Sequence, residues 1–202
     1  MPMLRKSLAG LGALIVLGSS TISATAAQFP VVQSAALGTS RSLPWSKPVT
    51  VTDPFEGTFV AVFDRNFFYK EIFNTNARVE VQSLWSRQSI RFLLTASDRD
   101  CLRGLSYFDR LSGSTCSEVI GSKNIIELFV KIGEQVFRVS GQNSTFVVSD
   151  ELARALQNAP DGNASIRLVT ESGSTVDSEI GKETVKAWRT VYTNPVSFRS
   201  TN

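Results

Sequence analysis

Hydrophobic and polar residues alternate with a period of two along much of the chain after residue 58. A strand with one buried face has this period, whereas a helix repeats every 3.6 residues. The pattern predicts strands at four places in this first part, residues 58–63, 67–73, 78–85 and 89–95. The run at 67–73 also admits a short helix. Asp64-Arg65-Asn66 predicts a turn between the first two runs, because Asn tolerates the left-handed backbone of a tight reversal.

The same alternation returns after residue 125 and predicts a three-strand meander over residues 126–132, 135–140 and 145–148. Gly133-Glu134 supplies the two-residue connection that a tight hairpin favours. In the first of these strands, four apolar residues share the face that we expect to be buried: Ile126, Leu128, Val130 and Ile132. A further strand is predicted at 165–170.

Two stretches in the last third have helical spacing instead. Leu152 and Leu156 lie four residues apart, Ser149 precedes them as an N-cap, and Pro160 prevents continuation of the helix. Residues 182–192 form the second predicted helix, because their apolar residues fall on one helical face. Together the elements predict a mainly β fold, an antiparallel β-sandwich or barrel with two short helices in the C-terminal third.

The N-terminus has the three parts of a cleavable secretory signal. Arg5 and Lys6 form its positive region, residues 8–17 are apolar, and Ala24-Thr25-Ala26 offers cleavage after Ala26 or Ala27. A membrane-spanning helix needs about 20 apolar residues, and this run is roughly half that length. We therefore expect the leader to be removed, the mature chain not to span a membrane, and its location to be periplasmic or secreted.

Three segments make up the predicted domain organisation. Residues 1–26 are the signal peptide. Residues 27–54 are predicted to be an extended lead-in or linker, because they are poor in charge and contain four prolines, Pro30, Pro44, Pro48 and Pro54. Residues 55–202 form a single β-rich domain, since the mature chain has the size of one ordinary domain.

Removal of the leader changes the charge balance. The chain has 21 Lys and Arg against 18 Asp and Glu, and the leader takes Arg5 and Lys6 with it, which leaves 19 against 18. A chain this close to neutral lacks the basic surface that nucleic-acid binding requires. No nucleic-acid partner is expected.

The chain contains no histidine. This excludes Ser-His-Asp triads, Cys-His pairs and His-ligated zinc or copper. Paired carboxylates stay open as a catalytic device, with Asp98 and Asp100, or Asp177, Glu179 and Glu183, as candidates. Solvated charges are the favoured interpretation of these acids. We predict no cofactor and no metal site, and we favour a non-enzyme over an enzyme.

Cys101 and Cys116 are the only cysteines, and both lie in the exported part of the chain. In an oxidising compartment we expect them to form a disulfide. Such a bond closes a loop of 15 positions and stabilises the fold by about 3 kcal/mol through the entropy of the unfolded chain.

The polar loop around this disulfide holds the candidate partner-binding residues, Arg99, Arg103, Tyr107 and Arg110. Arg and Tyr are enriched among the residues that dominate binding interfaces. The alternative is that Tyr107 packs into the core while the arginines are solvated, which is the commoner fate of such residues.

Three stretches of the last third, residues 133–136, 149–156 and 179–188, resemble a group of uncharacterised exported cyanobacterial proteins. The similarity covers residues 125–192. It implies a periplasmic setting in a Gram-negative-type envelope. The resemblance does not indicate which activity or which site residues the chain has.

Three functional hypotheses follow from these observations. The first is an exported, non-catalytic β-rich module that binds an envelope component such as another protein. The second is a β-barrel that binds a small apolar molecule or lipid within an aromatic interior. The third is a carboxylate-dependent hydrolase of cell-wall glycans. A filled interior favours the first, an open apolar cavity the second, and two facing carboxyls in a cleft the third.

Thiol titration tests the predicted disulfide directly. Thiol titration of the unreduced, denatured mature protein should find no reactive thiol, because both cysteines are oxidised in the exported chain. After reduction the same titration should find two. Two reactive thiols before reduction would contradict the pairing of Cys101 with Cys116.

Overall fold

The computed structural model describes residues 29–38, 42–72, 75–98 and 121–193. The predicted signal peptide at residues 1–26 lies outside this part of the chain. So do Cys101 and Cys116, and their disulfide therefore stays a prediction.

Eleven strands and two helices make up the described residues. The strands are β1 (Val31–Val32), β2 (Pro48–Asp53), β3 (Gly57–Ile72), β4 (Thr75–Ser86), β5 (Ser89–Asp98), β6 (Gly121–Lys123), β7 (Ile125–Ile132), β8 (Gln135–Gln142), β9 (Thr145–Val147), β10 (Ala164–Thr170) and β11 (Thr175–Ile180). The helices are α1 (Asp150–Gln157) and α2 (Lys182–Thr193). Both helices lie where the apolar spacing predicts them.

All the described strands belong to one sheet, in the order β1-β2-β3-β4-β5-β9-β8-β7-β10-β11, with β6 paired to β5. Every pairing is antiparallel except that of β1 with β2. The sheet does not close into a barrel and is sandwich-like. The predicted fold class, mainly β with two short helices late in the chain, is confirmed.

The segment predicted to be a lead-in, residues 27–54, contributes two strands to the sheet. Val49 and Val51 of β2 are completely buried, and they alternate with threonines in the period of two that marks a strand. Pro48 takes the first position of β2, where the missing N–H of proline is tolerated. The prolines of this segment therefore mark strand ends and turns within the packed fold.

The turn predicted at Asp64-Arg65-Asn66 is absent from the described structure, because β3 runs straight through these residues from Gly57 to Ile72. Asp64 and Asn66 fall on the inward side of the strand, in phase with Val62 and Phe68. Their polar side chains are tolerated there because each finds partners on an element far along the sequence.

The main core lies inside the sandwich-like fold, where the inner side of the sheet packs against both helices. Its largest residues are Trp85 of β4 and Trp188 of α2, whose ring centroids are 4.6 Å apart. Phe92 extends the aromatic packing, with its ring 5.9 Å from that of Trp85 and 6.0 Å from that of Phe146. A smaller cluster covers the opposite face of β2, β3 and β4, where Trp45 packs edge-on against a phenylalanine of β3.

Helix α1 begins where Ser149 caps it, because the Ser149 hydroxyl accepts a hydrogen bond from the Leu152 N–H at 3.2 Å. The helix buries Leu152 and Leu156 against the core, and it packs on α2. Neither helix in the described residues is long and apolar enough to cross a membrane.

Truncation of Trp188 should test the importance of the aromatic core. Trp188→Ala is expected to lower the free energy of unfolding by about 3–5 kcal/mol, because it removes a completely buried indole and leaves a cavity. Urea unfolding followed by far-UV circular dichroism measures the change. Trp45→Ala, in the smaller cluster where the ring is partly exposed, serves as the control and should cost less. Equal losses would contradict the central position of Trp188.

Candidate functional site

The partner-binding residues predicted from the sequence, Arg99, Arg103, Tyr107 and Arg110, lie outside the described residues. Their role stays a prediction. The candidate site that the described structure offers is formed by other residues, on the side of β7, β8, β10 and β11 that faces away from the core.

The outer face of these four strands is built by simple alternation. In β10 the residues Ala164, Ile166 and Leu168 are buried, while Ser165 and Arg167 between them are exposed. Strand β11 follows the same pattern, with Ser178 and Ile180 inward and the acidic residues outward. The outward residues of the four strands therefore share one surface.

The strand registers arrange these outward residues in two rows. One row crosses the sheet as Arg138, Phe129, Arg167 and Asp177, and the next row as Val136, Lys131, Ser165 and Glu179. Between them lies a groove of about 570 Å³, a volume within the range of ligand pockets. We call this the outer-face groove, lined by Phe129, Lys131, Val136, Ser165, Ile166, Arg167, Asp177, Ser178 and Glu179.

Ion pairs order the charged side chains of this surface. The Arg167 guanidinium binds Asp177 through two hydrogen bonds, Nε to Oδ1 at 2.6 Å and Nη2 to Oδ2 at 3.0 Å. This contact holds the pKa of Asp177 below its ordinary value and raises that of Arg167. Arg138 Nε donates to Glu127 Oε1 at 2.5 Å, and its guanidinium lies 5.6 Å from the Phe129 ring centroid. Exposed pairs contribute little to stability, so their main effect here is to fix side-chain positions.

Lys131 differs from Arg167, the other basic residue of the groove lining. Among the described residues, no carboxylate lies within 4.0 Å of its ammonium group. It lies directly opposite Val136 in the register of β7 and β8, and Val136 is 60% exposed. The groove thus presents a cation without an ion-pair partner beside exposed apolar surface, which suits a ligand with an apolar group next to a negative charge.

The carboxylates considered as catalytic candidates have other partners in the structure. Asp177 is bound by Arg167, Glu179 accepts from Asn163 Nδ2 at 2.9 Å, and Glu183 binds Lys186 at 3.1 Å. A glycosidase acid needs a raised pKa and a second carboxyl across the scissile bond. The pKa of Asp177 is lowered instead, so this cluster does not provide such an acid at Asp177. Asp100 lies outside the described residues.

One carboxyl does have a raised pKa, and it is buried. Burial raises the pKa of Asp64 to about 6, opposed by hydrogen bonds from the Thr184 hydroxyl and the Gly181 N–H at the start of α2. Ser46 Oγ lies 3.0 Å from Thr184 Oγ1. Asp64 is only 3% exposed, so no substrate reaches it. Its position at the N-terminus of α2 favours a structural role, since helix N-termini attract negative charge.

Asn66 connects β3 to β11, the strand that forms one wall of the outer-face groove, through hydrogen bonds. Its side-chain amide donates to Ser178 Oγ and to the Glu179 carbonyl oxygen, both at 3.2 Å. Sequence reasoning assigned Asp64 and Asn66 to a turn. Continuation of the period-two pattern from Val62 to Phe68 is the signal that would have placed both residues on the inner side of a strand.

The described residues contain no group of three acidic side chains placed to hold a metal ion. No protein-family model, no curated protein and no solved structure matches the chain.

Replacement of Asp64 by asparagine should change how stability depends on pH. The pKa of Asp64 is about 6 in the folded protein, against an ordinary value of 3.8. Between these values the folded state holds a proton that the unfolded state has released. The contribution of Asp64 to the free energy of unfolding therefore falls by about 3 kcal/mol as the pH rises through this window, and it stays low above pH 6 or so.

Urea unfolding of both proteins at several pH values between about 4 and 7.5 measures the effect. The free energy of unfolding of Asp64→Asn, relative to that of the native chain, should increase by most of those 3 kcal/mol as the pH rises. Asp177→Asn is the control with the opposite sign, because the pKa of Asp177 is lowered and its stabilisation is lost as the pH falls. A constant difference between Asp64→Asn and the native chain at every pH would contradict the assignment.

Proposed function

We propose that this protein is an exported, non-catalytic β-rich module that binds another protein of the cell envelope through the outer-face groove. The observation that carries the proposal is the groove itself, where Lys131 and the exposed side chain of Val136 lie in the row next to the Arg167–Asp177 ion pair. Export rests on the leader at residues 1–26, which is the sequence pattern of a secretory signal.

The partner that fits is a protein segment with an apolar side chain next to a carboxylate. Phe129 and Val136 provide the apolar contact, and Lys131 provides a cation that no described carboxylate neutralises. The neighbouring arginines are already engaged with Asp177 and Glu127. The partner's carboxylate therefore has one clear counter-ion in the groove.

The interior of the fold favours this hypothesis over a small-molecule or lipid-binding barrel. The sheet is open, and Trp85, Trp188 and Phe146 are completely buried within the core between its halves. A barrel that holds an apolar ligand needs interior space that its own side chains leave empty. These three aromatic side chains fill the interior of the fold.

The glycan-hydrolase hypothesis has less support. The described carboxyl with a raised pKa, Asp64, is enclosed by the fold. The acids that face the groove, Asp177 and Glu179, are held by Arg167 and Asn163. A general acid must reach the leaving-group oxygen of its substrate while protonated. Asp64 is too buried to reach it, and the pKa of Asp177 is lowered rather than raised.

Site-specific photo-crosslinking tests the proposal. The full chain carries a benzophenone amino acid in place of Val136, and it is expressed with its own leader in its host. Irradiation should yield one discrete adduct with an envelope protein. The same amino acid in place of Val147, an exposed valine on β9 outside the groove lining, should not yield this adduct. Lys131→Glu in the first protein should lower the adduct yield about tenfold, because the charge that attracts the partner is reversed.

Lys47→Glu reverses an exposed charge outside the groove lining and is the matched control, which should leave the adduct yield unchanged. The proposal fails if positions 136 and 147 give the same adducts or if Lys131→Glu has no effect. Absence of any protein adduct at position 136 would equally contradict it.

A further inference from the structure

Strand β8 has an open main-chain edge. On one side, residues 135–140 pair continuously with β7. On the other side, only Gly141 and Gln142 pair with a described strand, β9. Within the described part of the chain, the six residues from Gln135 to Ser140 therefore have no strand beside them, and four of the six are exposed.

This edge lacks the usual protection against pairing with another strand. Natural edge strands are blocked by proline, by lysine, by bulges or by inward-pointing charge. Residues 135–140 contain no proline and no lysine, and their register with β7 is continuous. Their one charged residue, Arg138, is drawn toward Glu127 of β7, on the far side from the open edge.

The inward side chains of β8 also lack full cover. Phe137 and Val139 pack against the margin of the core, yet each is only partly buried. A strand added at the open edge would cover these side chains as well as satisfy the unpaired backbone groups. Both effects favour an extended partner with apolar residues at alternate positions.

We propose that this partner is a second copy of the chain, with the two β8 strands paired antiparallel about a twofold axis. Directly opposed residues lie on the same face of a sheet, so such an axis passes through a residue position. An axis at Phe137 opposes the two Phe137 rings, places Gln135 opposite Val139, and places Arg138 opposite Val136. An axis at Arg138 would place like charges directly opposite, which is unfavourable. An axis at Phe137 thus opposes the two aromatic rings and no two like charges.

The pairing joins β11-β10-β7-β8 of both copies into one continuous sheet. Because the axis is perpendicular to that sheet, the outer-face grooves of the two copies lie on the same face of the dimer. The pairing uses the main-chain edge of β8, and Val136, which also lines the groove, lies beside this edge. The dimer does not require an occupied groove, so it is tested on the purified protein alone.

Sedimentation of the purified mature protein tests the dimer. The native protein should sediment as a dimer at micromolar concentration. Val136→Arg places an arginine opposite Arg138 of the other copy at two symmetric positions, and it should weaken association about tenfold or more. Val136→Glu places a carboxylate opposite the same arginine and should preserve the dimer. Val147→Arg, at an exposed position on β9, is the matched control and should also preserve it.

Circular dichroism checks that each variant is folded, and hydrogen exchange of the backbone amides reports on the edge directly. Protection of residues 135–140 should rise with protein concentration. A monomeric native protein overturns the proposal: protected amides would then show that the chain covers its own edge, and unprotected amides that the edge is unpaired in the purified protein. A dimer unaffected by Val136→Arg would show association through another surface and would overturn it as well.

Discussion

The contact between Trp85 and Trp188 is the interaction on which the rest of the structure depends. The sheet is open, and its inner face is large and apolar, so it must be covered by something other than a closing strand. Helix α2 provides that cover by placing Trp188 against β4, where the two rings lie 4.6 Å apart. The core around them takes residues from seven strands and both helices. Removal of this contact would leave a cavity at the centre of that shared interior.

Hydrogen bonds from two polar residues of β3 add to the apolar packing of the core. Asp64 holds the first turn of α2 through Thr184, and Asn66 holds the backbone of β11. Burying a carboxyl costs free energy, and the raised pKa of Asp64 reflects that cost. In return, two residues two positions apart on β3 hold both the helix and the backbone of β11. Strand β11 supplies one wall of the outer-face groove, so the groove depends on polar contacts made on the inner side of the sheet.

The period of two predicts most strands, and apolar spacing on one helical face predicts both helices, with the cap at Ser149 marking the start of α1; these signals are local. Three features depend on partners that are distant in sequence. Strand β3 continues through Asp64 and Asn66 because it pairs with β4 and because Thr184 and Ser178, more than 100 positions along the chain, hydrogen-bond to the two side chains. Ile126, expected to be buried, is 40% exposed because a register shift against β10 places Ile125 inward instead. The groove arises from the register of four strands, which no single segment encodes. The residues favoured as a site from the sequence lie at 99–110, outside the described residues.

The order of elements along the chain has a consequence for biosynthesis. Helix α2 follows every described strand, yet its Trp188 occupies the centre of the core. A nascent chain that ends before α2 can form hairpins and helix α1, but it lacks the indole at the centre of the core. Stable tertiary structure is therefore deferred until translation has passed Trp188. Such a delay keeps the polypeptide loosely folded until its last described helix has been made.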